Sequence, residues 1–179
     1  MRTILICLLL AYIPVTLFAQ TPVAVKNGTV VIVRHAEKGK GGNDPGLTEA
    51  GVQRSSDLLA YLSKNRIRVS QVYVSPYKRT KETAGNVISE WGPAVIQYKA
   101  DVTGKGLREE VEKNFKERTN ILIVGHSNTV PSILKQFGIS SYPNDIPDAE
   151  HDNIFIIKFR KGKGRLVHGR YGVPSVASK

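Results

Sequence analysis

The sequence contains a single cysteine, Cys7, which lies in an apolar stretch at the start of the chain. One cysteine excludes a disulfide framework and any zinc or iron–sulfur site built from several thiolates. The composition is otherwise ordinary, with 41% hydrophobic and 23% charged residues among 179. Such a composition excludes fibrous and disordered proteins and is typical of one globular domain.

Acidic residues are scarce relative to basic ones, with 15 Asp and Glu against 26 Lys and Arg. No acidic residue follows Asp152, whereas six basic residues crowd the last predicted strands: Lys158, Arg160, Lys161, Lys163, Arg165 and Arg170. One interpretation is a solvated edge that positive charge keeps from aggregating. The other is steering of anionic substrates or weak contact with an anionic envelope surface. We expect no nucleic-acid partner, because no aromatic residues interleave a basic groove as stacking platforms would.

Long apolar runs are absent except between Thr3 and Ala19, directly after Arg2. A basic residue, an apolar stretch and a terminal small residue are typical of a secretory signal peptide. The alternative, a membrane anchor, needs about 20 apolar residues, and Pro14 interrupts the run. We therefore predict a signal peptide over 1–19, a single domain over 20–179, and an exported protein, periplasmic or secreted if bacterial. Removal of Cys7 with this segment excludes a thiol mechanism.

Strand and helix patterns alternate along the rest of the chain. Short apolar runs at 29–33, 72–74 and 121–124, and a weaker one at 94–98, predict strands that are covered on both faces. Helical spacing of apolar residues separates these runs. This order predicts an α/β fold with a mostly parallel sheet and helices on both faces. Two further strand patterns at 153–168 predict an antiparallel C-terminal edge.

Three polar segments each follow a predicted strand: Arg34–Lys38, Ser75–Thr80 with Thr83, and Gly125–Thr129. Ligand sites of open α/β sheets form at the carboxyl ends of the strands, so these segments are expected to meet. Two arginines there favour an anion such as phosphate, whose oxygens match the guanidinium fork. A histidine among such groups can attack phosphorus.

Each segment alone also has an ordinary structural interpretation. An Arg-His pair after a strand is common on protein surfaces, and Ser-Pro or Gly-His-Ser often forms a turn that starts a helix. The functional interpretation depends on the equivalent placement of all three segments.

Four motifs together resemble the histidine phosphatase superfamily, the phosphoglycerate mutase-like group, and within it the small phosphatase branch. They are Arg34-His35-Ala36-Glu37, Leu47-Thr48-Glu49-Ala50-Gly51, Ser75-Pro76-Tyr77-Lys78-Arg79-Thr80 with Thr83-Ala84, and Gly125-His126-Ser127. The resemblance implies a three-layer α/β/α fold and catalysis through a phosphohistidine intermediate.

The resemblance also implies roles for individual residues. His35 corresponds to the nucleophile, Arg34 and Arg79 to the phosphate-binding arginines, and His126 to the second pocket histidine. It implies no metal or organic cofactor, and the sequence has no His-Glu-x-x-His motif. The chain is also too short for the additional segments of the sugar-phosphate mutases, so a mutase is not expected.

The general acid is the point at which the sequence departs from the family pattern. Many members carry a catalytic glutamate between the second arginine motif and the second histidine, and 97–106 does not reproduce that loop. Asp101, after the third predicted strand, and Glu37, two residues beyond His35, are the candidate acids. The alternative is that both are ordinary solvated carboxylates and that substrates carry good leaving groups.

Three functions remain open at this stage. The first is an exported, metal-independent phosphatase acting on a phosphomonoester or phosphohistidine, with a small phosphorylated compound or a phosphoprotein as partner. The second is a non-catalytic exported phosphate- or anion-binding module with the same fold. The third is a basic, envelope-associated structural protein. Turnover of phosphate esters distinguishes the first from the others.

Overall fold

The computed structural model describes residues 22–142 and 145–175. The predicted signal peptide, 1–19, lies outside the described residues. The described part of the chain contains one six-stranded sheet, in the spatial order β3-β2-β4-β1-β5-β6. Its strands are β1 (Gly28–Arg34), β2 (Gln71–Val74), β3 (Ala94–Gln97), β4 (Thr119–Gly125), β5 (Asn153–Arg160) and β6 (Lys163–Arg170).

The first four strands run parallel to one another, and the last two form an antiparallel hairpin that pairs with β1. The predicted fold class, a mostly parallel sheet with an antiparallel C-terminal edge, is confirmed. Because β5 runs opposite to β1, its first residues lie beside the last residues of β1, with Ile154 paired to Val33. The loop that precedes β5 therefore reaches the carboxyl edge of the parallel strands.

Helices cover both faces of the sheet and complete the three layers. They are α1 (Glu49–Lys64), α2 (Lys78–Thr83), α3 (Gly85–Trp91), α4 (Lys105–Asn114) and α5 (Val130–Gln136). One core, which contains Val30 and Ile32, packs against α4 and α5. The other, which contains Val31 and Val33, packs against α1 and α3. Alternate side chains of β1 thus enter opposite cores, which explains why this strand is apolar at successive positions.

The apolar stripe at 83–91 predicts a single helix, whereas the structure contains two short helices that meet at Ala84. The Thr83 hydroxyl donates to the backbone oxygen of Arg79 at 2.7 Å. Such a back-bond bends helices, and Gly85 follows directly with a low helix propensity. The break separates the short helix that carries Arg79 from the helix that packs into the core.

The β5–β6 hairpin turns at Lys161 and Gly162, which both have positive φ, 51° and 78°. Two such residues match the right-handed twist of a two-residue hairpin. Five of the basic residues noted in the sequence are exposed here: Lys158, Arg160, Lys161, Lys163 and Arg165. Arg170 differs, because its guanidinium pairs with Asp152 at 2.7 Å and with Glu150 at 3.0 Å.

Within residues 22–142 and 145–175, no helix is long and apolar enough to cross a bilayer.

Candidate active site

The three polar segments meet at one edge of the sheet, as the order of the strands predicts. Arg34, the last residue of β1, is in register with Gly125, the last residue of β4. The next residue on each strand is a histidine, and the backbone N–H of His35 donates to the oxygen of Gly125 at 2.9 Å. The rings of His35 and His126 lie with their centroids 5.3 Å apart. The backbone of the sheet therefore fixes the separation of the two histidines.

His35 is buried, and one of its ring nitrogens is already occupied. Nδ1 lies 2.8 Å from the backbone oxygen of Ala36, so this nitrogen carries the proton and donates. Burial, reinforced by the positive charge of Arg34, lowers the pKa of His35 to about 3. The ring is therefore neutral at pH 7, and Nε2 holds an unprotonated lone pair.

His126 is held by the segment that follows β2. Its Nε2 lies 3.0 Å from the Ser75 hydroxyl, which lies 3.0 Å from the hydroxyl of Thr80. Its Nδ1 faces Arg79 at 3.4 Å. Burial and the charge of Arg79 lower the pKa of His126 to about 4. Because the arginine can only donate, Nδ1 is the acceptor and Nε2–H donates to Ser75.

Arg79 lies under the ring of Tyr77, with Cζ 4.2 Å from the ring centroid. Its Nη1 is 3.7 Å from Asp44, whose carboxylate also accepts from the backbone N–H of Lys78 at 3.0 and 3.1 Å. The Nε of Arg79 is buried and has no hydrogen-bond partner among the described residues. A buried donor without a partner is costly, so this N–H is available for an anion.

Arg34 is 4% exposed and divides its donors between two directions. Its Nη1 donates to three backbone oxygens of one loop, those of Pro147, Asp148 and Glu150, at 2.7, 3.1 and 3.2 Å. Its Nη2 lies 3.2 Å from the Asp148 carboxylate. Its Nε is buried and, within the described ranges, unpartnered. Arg34 thus fixes the loop over 145–150 with one nitrogen and leaves others for a ligand.

These side chains line one open cavity of about 430 Å³. Its lining consists of Arg34, His35, Lys38, Tyr77, Arg79, Ala100, Asp101, Val102, His126, Ser127, Asn128, Thr129 and Asp148. The structure therefore brings five of the six predicted site residues, all but Glu37, together around one space. A neutral imidazole beside two guanidiniums can bind a phosphoryl group and attack its phosphorus.

The two candidate acids lie in different places. Asp101 lines the cavity, but its carboxylate accepts hydrogen bonds from the Thr103 hydroxyl and from the backbone N–H groups of Thr103, Lys105 and Gly106. Burial alone would raise the pKa of Asp101, but these bonds, that from Thr103 first, hold it below its usual value. Asp101 thus stabilises the start of α4 in its ionised form.

Glu37 lies away from this cavity. Its two oxygens accept from Arg54 at 2.7 to 2.9 Å, and these bonds outweigh burial and lower the pKa of Glu37. Whether Glu37 or Asp101 transfers a proton stays a prediction.

The sequence predicts no individual role for three polar residues at or beside the cavity, Ser75, Asp148 and His151. Ser75 had a signal, because it directly follows a buried strand. The Nδ1 of His151 lies 2.9 Å from the backbone oxygen of His35, and Asp148 belongs to the loop held by Arg34. Neither has a local sequence signal, because the antiparallel return of β5 alone brings that loop to this edge.

The histidine phosphatase superfamily (branch 1) family model matches residues 30–103, which include the His35 and Arg79 segments. No curated protein sequence matches the chain.

Solved structures share the fold at low identity. A SixA protein from Agrobacterium tumefaciens superposes with a TM-score of 0.62 and 16% identity, over 82% of this chain and 98% of that one. The protein histidine phosphatase SixA in complex with tungstate gives 0.57 and 17%, over 79% and 96%. A phosphoserine phosphatase from Entamoeba histolytica gives 0.52 and 16%, over 82% and 98%.

The match to the family model begins in β1 and contains both arginine segments. The solved structures have the same three-layer fold. His126 lies outside the matched range and completes the cavity. Over residues 30–103 the chain therefore matches the histidine phosphatase superfamily (branch 1), and it shares the fold of the solved SixA structures.

Proposed function

We propose that this protein is an exported, metal-independent phosphatase that hydrolyses a phosphomonoester or a phosphohistidine through a phosphohistidine on His35. The observation that carries the proposal is the neutral His35 ring, whose Nδ1 proton is held by Ala36 while Nε2 stays free beside two arginines. The tungstate complex of SixA supports binding of a phosphoryl group, since tungstate, like phosphate, is a tetrahedral oxyanion.

Substrate binding uses donors that have no other partner. The buried Nε atoms of Arg34 and Arg79, unpaired within the described chain, would each donate to a phosphoryl oxygen. Arg79 would then share its charge between the phosphoryl group and His126, which lies 3.4 Å from its Nη2. A bound dianion also favours the protonated form of His126, which can then donate from Nδ1.

In the first chemical step, Nε2 of His35 bonds to phosphorus as the bond from phosphorus to the leaving group breaks. The leaving atom takes up a proton and departs as an alcohol or an imidazole. The two arginines stabilise the charge on the equatorial oxygens.

In the second step, water attacks the same phosphorus and the bond to Nε2 breaks. The water loses a proton, inorganic phosphate leaves, and His35 returns to its neutral form with Nδ1–H still donating to Ala36. The two steps consume one water and form one alcohol, or one imidazole, and one phosphate.

Two parts of the proposal rest on the sequence. Metal independence follows from the charge that two arginines supply to the phosphoryl group, which a metal ion provides in other phosphatases. Export follows from the signal-peptide pattern over 1–19, and separation of secreted or periplasmic from cytoplasmic fractions tests it.

The test is turnover by the purified protein on a panel of phosphorylated compounds, including phosphohistidine and aryl and alkyl phosphomonoesters. Rapid acid-free quenching and peptide mass analysis should locate a phosphoryl group on His35. Turnover without modification of His35 would contradict the mechanism. Binding of phosphate without turnover of any substrate would instead select the anion-binding module.

A further inference from the structure

Of the two carboxylates that line the cavity, that of Asp148 makes fewer hydrogen bonds than that of Asp101. Asp148 lies on the loop between α5 and β5, and its side chain is 98% exposed. Among the described residues, the hydrogen bond of its carboxylate is to Nη2 of Arg34, at 3.2 Å. This carboxylate can therefore rotate without breaking the packing of the fold.

The backbone of Asp148, in contrast, is fixed. Arg34 Nη1 donates to the oxygens of Pro147, Asp148 and Glu150, and the buried Ile146 donates its N–H to the oxygen of Ser127 at 3.1 Å. The same guanidinium that would bind the phosphoryl group thus holds this loop against the cavity. A mobile carboxyl on an anchored backbone is suited to proton transfer.

The position of Asp148 also suits the direction in which the leaving group departs. His35 lies on the floor of the cavity and is 4% exposed, so a leaving group in line with its attack points outwards, towards the rim. Asp148 lines that rim. Asp101 lines it too, but its oxygens cap the start of α4.

Solvent would supply the proton, and substrate binding would free the carboxyl to carry it. Without substrate, Asp148 pairs with Arg34 as a carboxylate. A phosphoryl dianion on Arg34 would compete with this carboxylate for the same guanidinium, so the exposed carboxyl is released towards the leaving group, where it can carry a proton from solvent to the leaving oxygen.

We propose that Asp148 is the general acid, donating this proton to the leaving oxygen as the phosphorus–oxygen bond breaks, and that the enzyme therefore accepts phosphomonoesters of ordinary alcohols. The Asp148 carboxylate that results would take a proton back from the attacking water in the second step. This proposal rests on the phosphatase function proposed above.

The test compares Asp148→Asn with wild type on glycerol phosphate, an alkyl ester, and on para-nitrophenyl phosphate, whose leaving group needs no proton. We expect kcat to fall about 10²-fold or more on the alkyl ester, within the range of about 10²–10⁴ for a general acid, and within about threefold on the aryl ester. The inhibition constant for inorganic phosphate should not rise, because a competing negative charge has been removed from Arg34.

Asp145→Asn is the matched control, since it makes the same change at an exposed position on the same loop outside the cavity. Asp148→Glu keeps the carboxyl and should recover part of the alkyl activity, which guards against misfolding of the amide variant. Asp101→Asn and Glu37→Gln complete the set.

Equal losses on both esters for Asp148→Asn, or no loss on the alkyl ester, would overturn the assignment. A selective alkyl loss in Asp101→Asn or Glu37→Gln alone would transfer the role to that residue. A wild-type enzyme that cleaves the aryl but not the alkyl ester would refute this inference and leave the phosphatase function intact. Failure on both esters and on phosphohistidine would refute the function itself.

Discussion

At the scale of single residues, the two histidines of the cavity differ in the nitrogen that each leaves free. His35 donates from Nδ1 to its own chain at Ala36, which leaves Nε2 without a partner among the described residues. His126 uses Nε2 with Ser75 and turns Nδ1 to Arg79. Because a nucleophile needs a free lone pair, this difference favours His35 as the group that attacks phosphorus.

Replacement of His35 by Ala or Asn should abolish turnover, because the other histidine that lines the cavity, His126, has both ring nitrogens engaged, by Ser75 and by Arg79. Steady-state kinetics of the purified variants should show less than a few per cent of wild-type kcat, with an unchanged circular dichroism spectrum. His168→Asn is the control, since His168 is an exposed residue of β6. Substantial activity in His35→Asn would rule out the phosphohistidine intermediate.

Arg34→Ala and Arg79→Ala should each lower kcat/KM by about 10²–10³, the typical loss for one transition-state donor. Replacement of either arginine by lysine should recover little of the lost kcat/KM, because an ammonium has no N–H at the position of the buried Nε. The exposed Arg165→Ala controls for loss of one positive charge. A variant within about threefold of wild type, close to experimental error, would place its arginine outside the reaction.

At the scale of elements, residues next to strands could be predicted from sequence, and residues placed by long loops could not. The apolar runs of β1, β2 and β4 predicted both the parallel sheet and the edge at which Arg34, His35, Arg79 and His126 meet. The break at Ala84 depends on one side-chain hydrogen bond, which a stripe of apolar residues does not reveal. Asp148 reaches the cavity through three backbone contacts to Arg34, and backbone acceptors carry no sequence signature.

The burial of two histidines at adjacent strand ends makes stability depend on pH. Both stay neutral in the folded state to about pH 4, whereas an exposed histidine of the unfolded chain protonates near pH 6.5. Between these values the unfolded state binds more protons, so the free energy of unfolding falls as the pH falls. The expected slope is about 1.4 kcal/mol per pH unit for each histidine.

Denaturant titrations at pH 7, 6 and 5 in phosphate-free buffer would measure this slope. A His35→Asn, His126→Asn double variant should show a flatter dependence over the same range. An equal slope in wild type and variant would mean that other groups, such as the half-buried His151, dominate the effect.

At the scale of the whole molecule, the positive charge of the cavity differs in burial from that of the β5–β6 hairpin. The cavity carries buried arginines, whereas the tip and edge of the β5–β6 hairpin carry exposed lysines and arginines. Salt screens exposed charges far more than buried ones. Contact of the hairpin with an anionic envelope surface, if it forms, should therefore weaken with ionic strength before substrate binding does.

Turnover should survive EDTA, because the proposed charge stabilisation comes from Arg34 and Arg79. The measurement is kcat/KM on an aryl phosphate before and after dialysis against the chelator, with a zinc-dependent phosphatase as the positive control for metal removal. Loss of activity with recovery on addition of one divalent cation would indicate a metallohydrolase instead.

Because Arg34 contacts both, the loop over 145–150 and the proposed phosphoryl site are coupled through one guanidinium. Occupation of the site should slow amide exchange in that loop, since a guanidinium held by a dianion releases its three backbone oxygens less often. By thermodynamic reciprocity, a molecule that binds the loop from the solvent side and changes its contacts with Arg34 changes the affinity of the cavity for a phosphoryl group without entering the cavity. Through Arg34, binding at the outer surface of the loop would therefore alter the affinity of the cavity for phosphate.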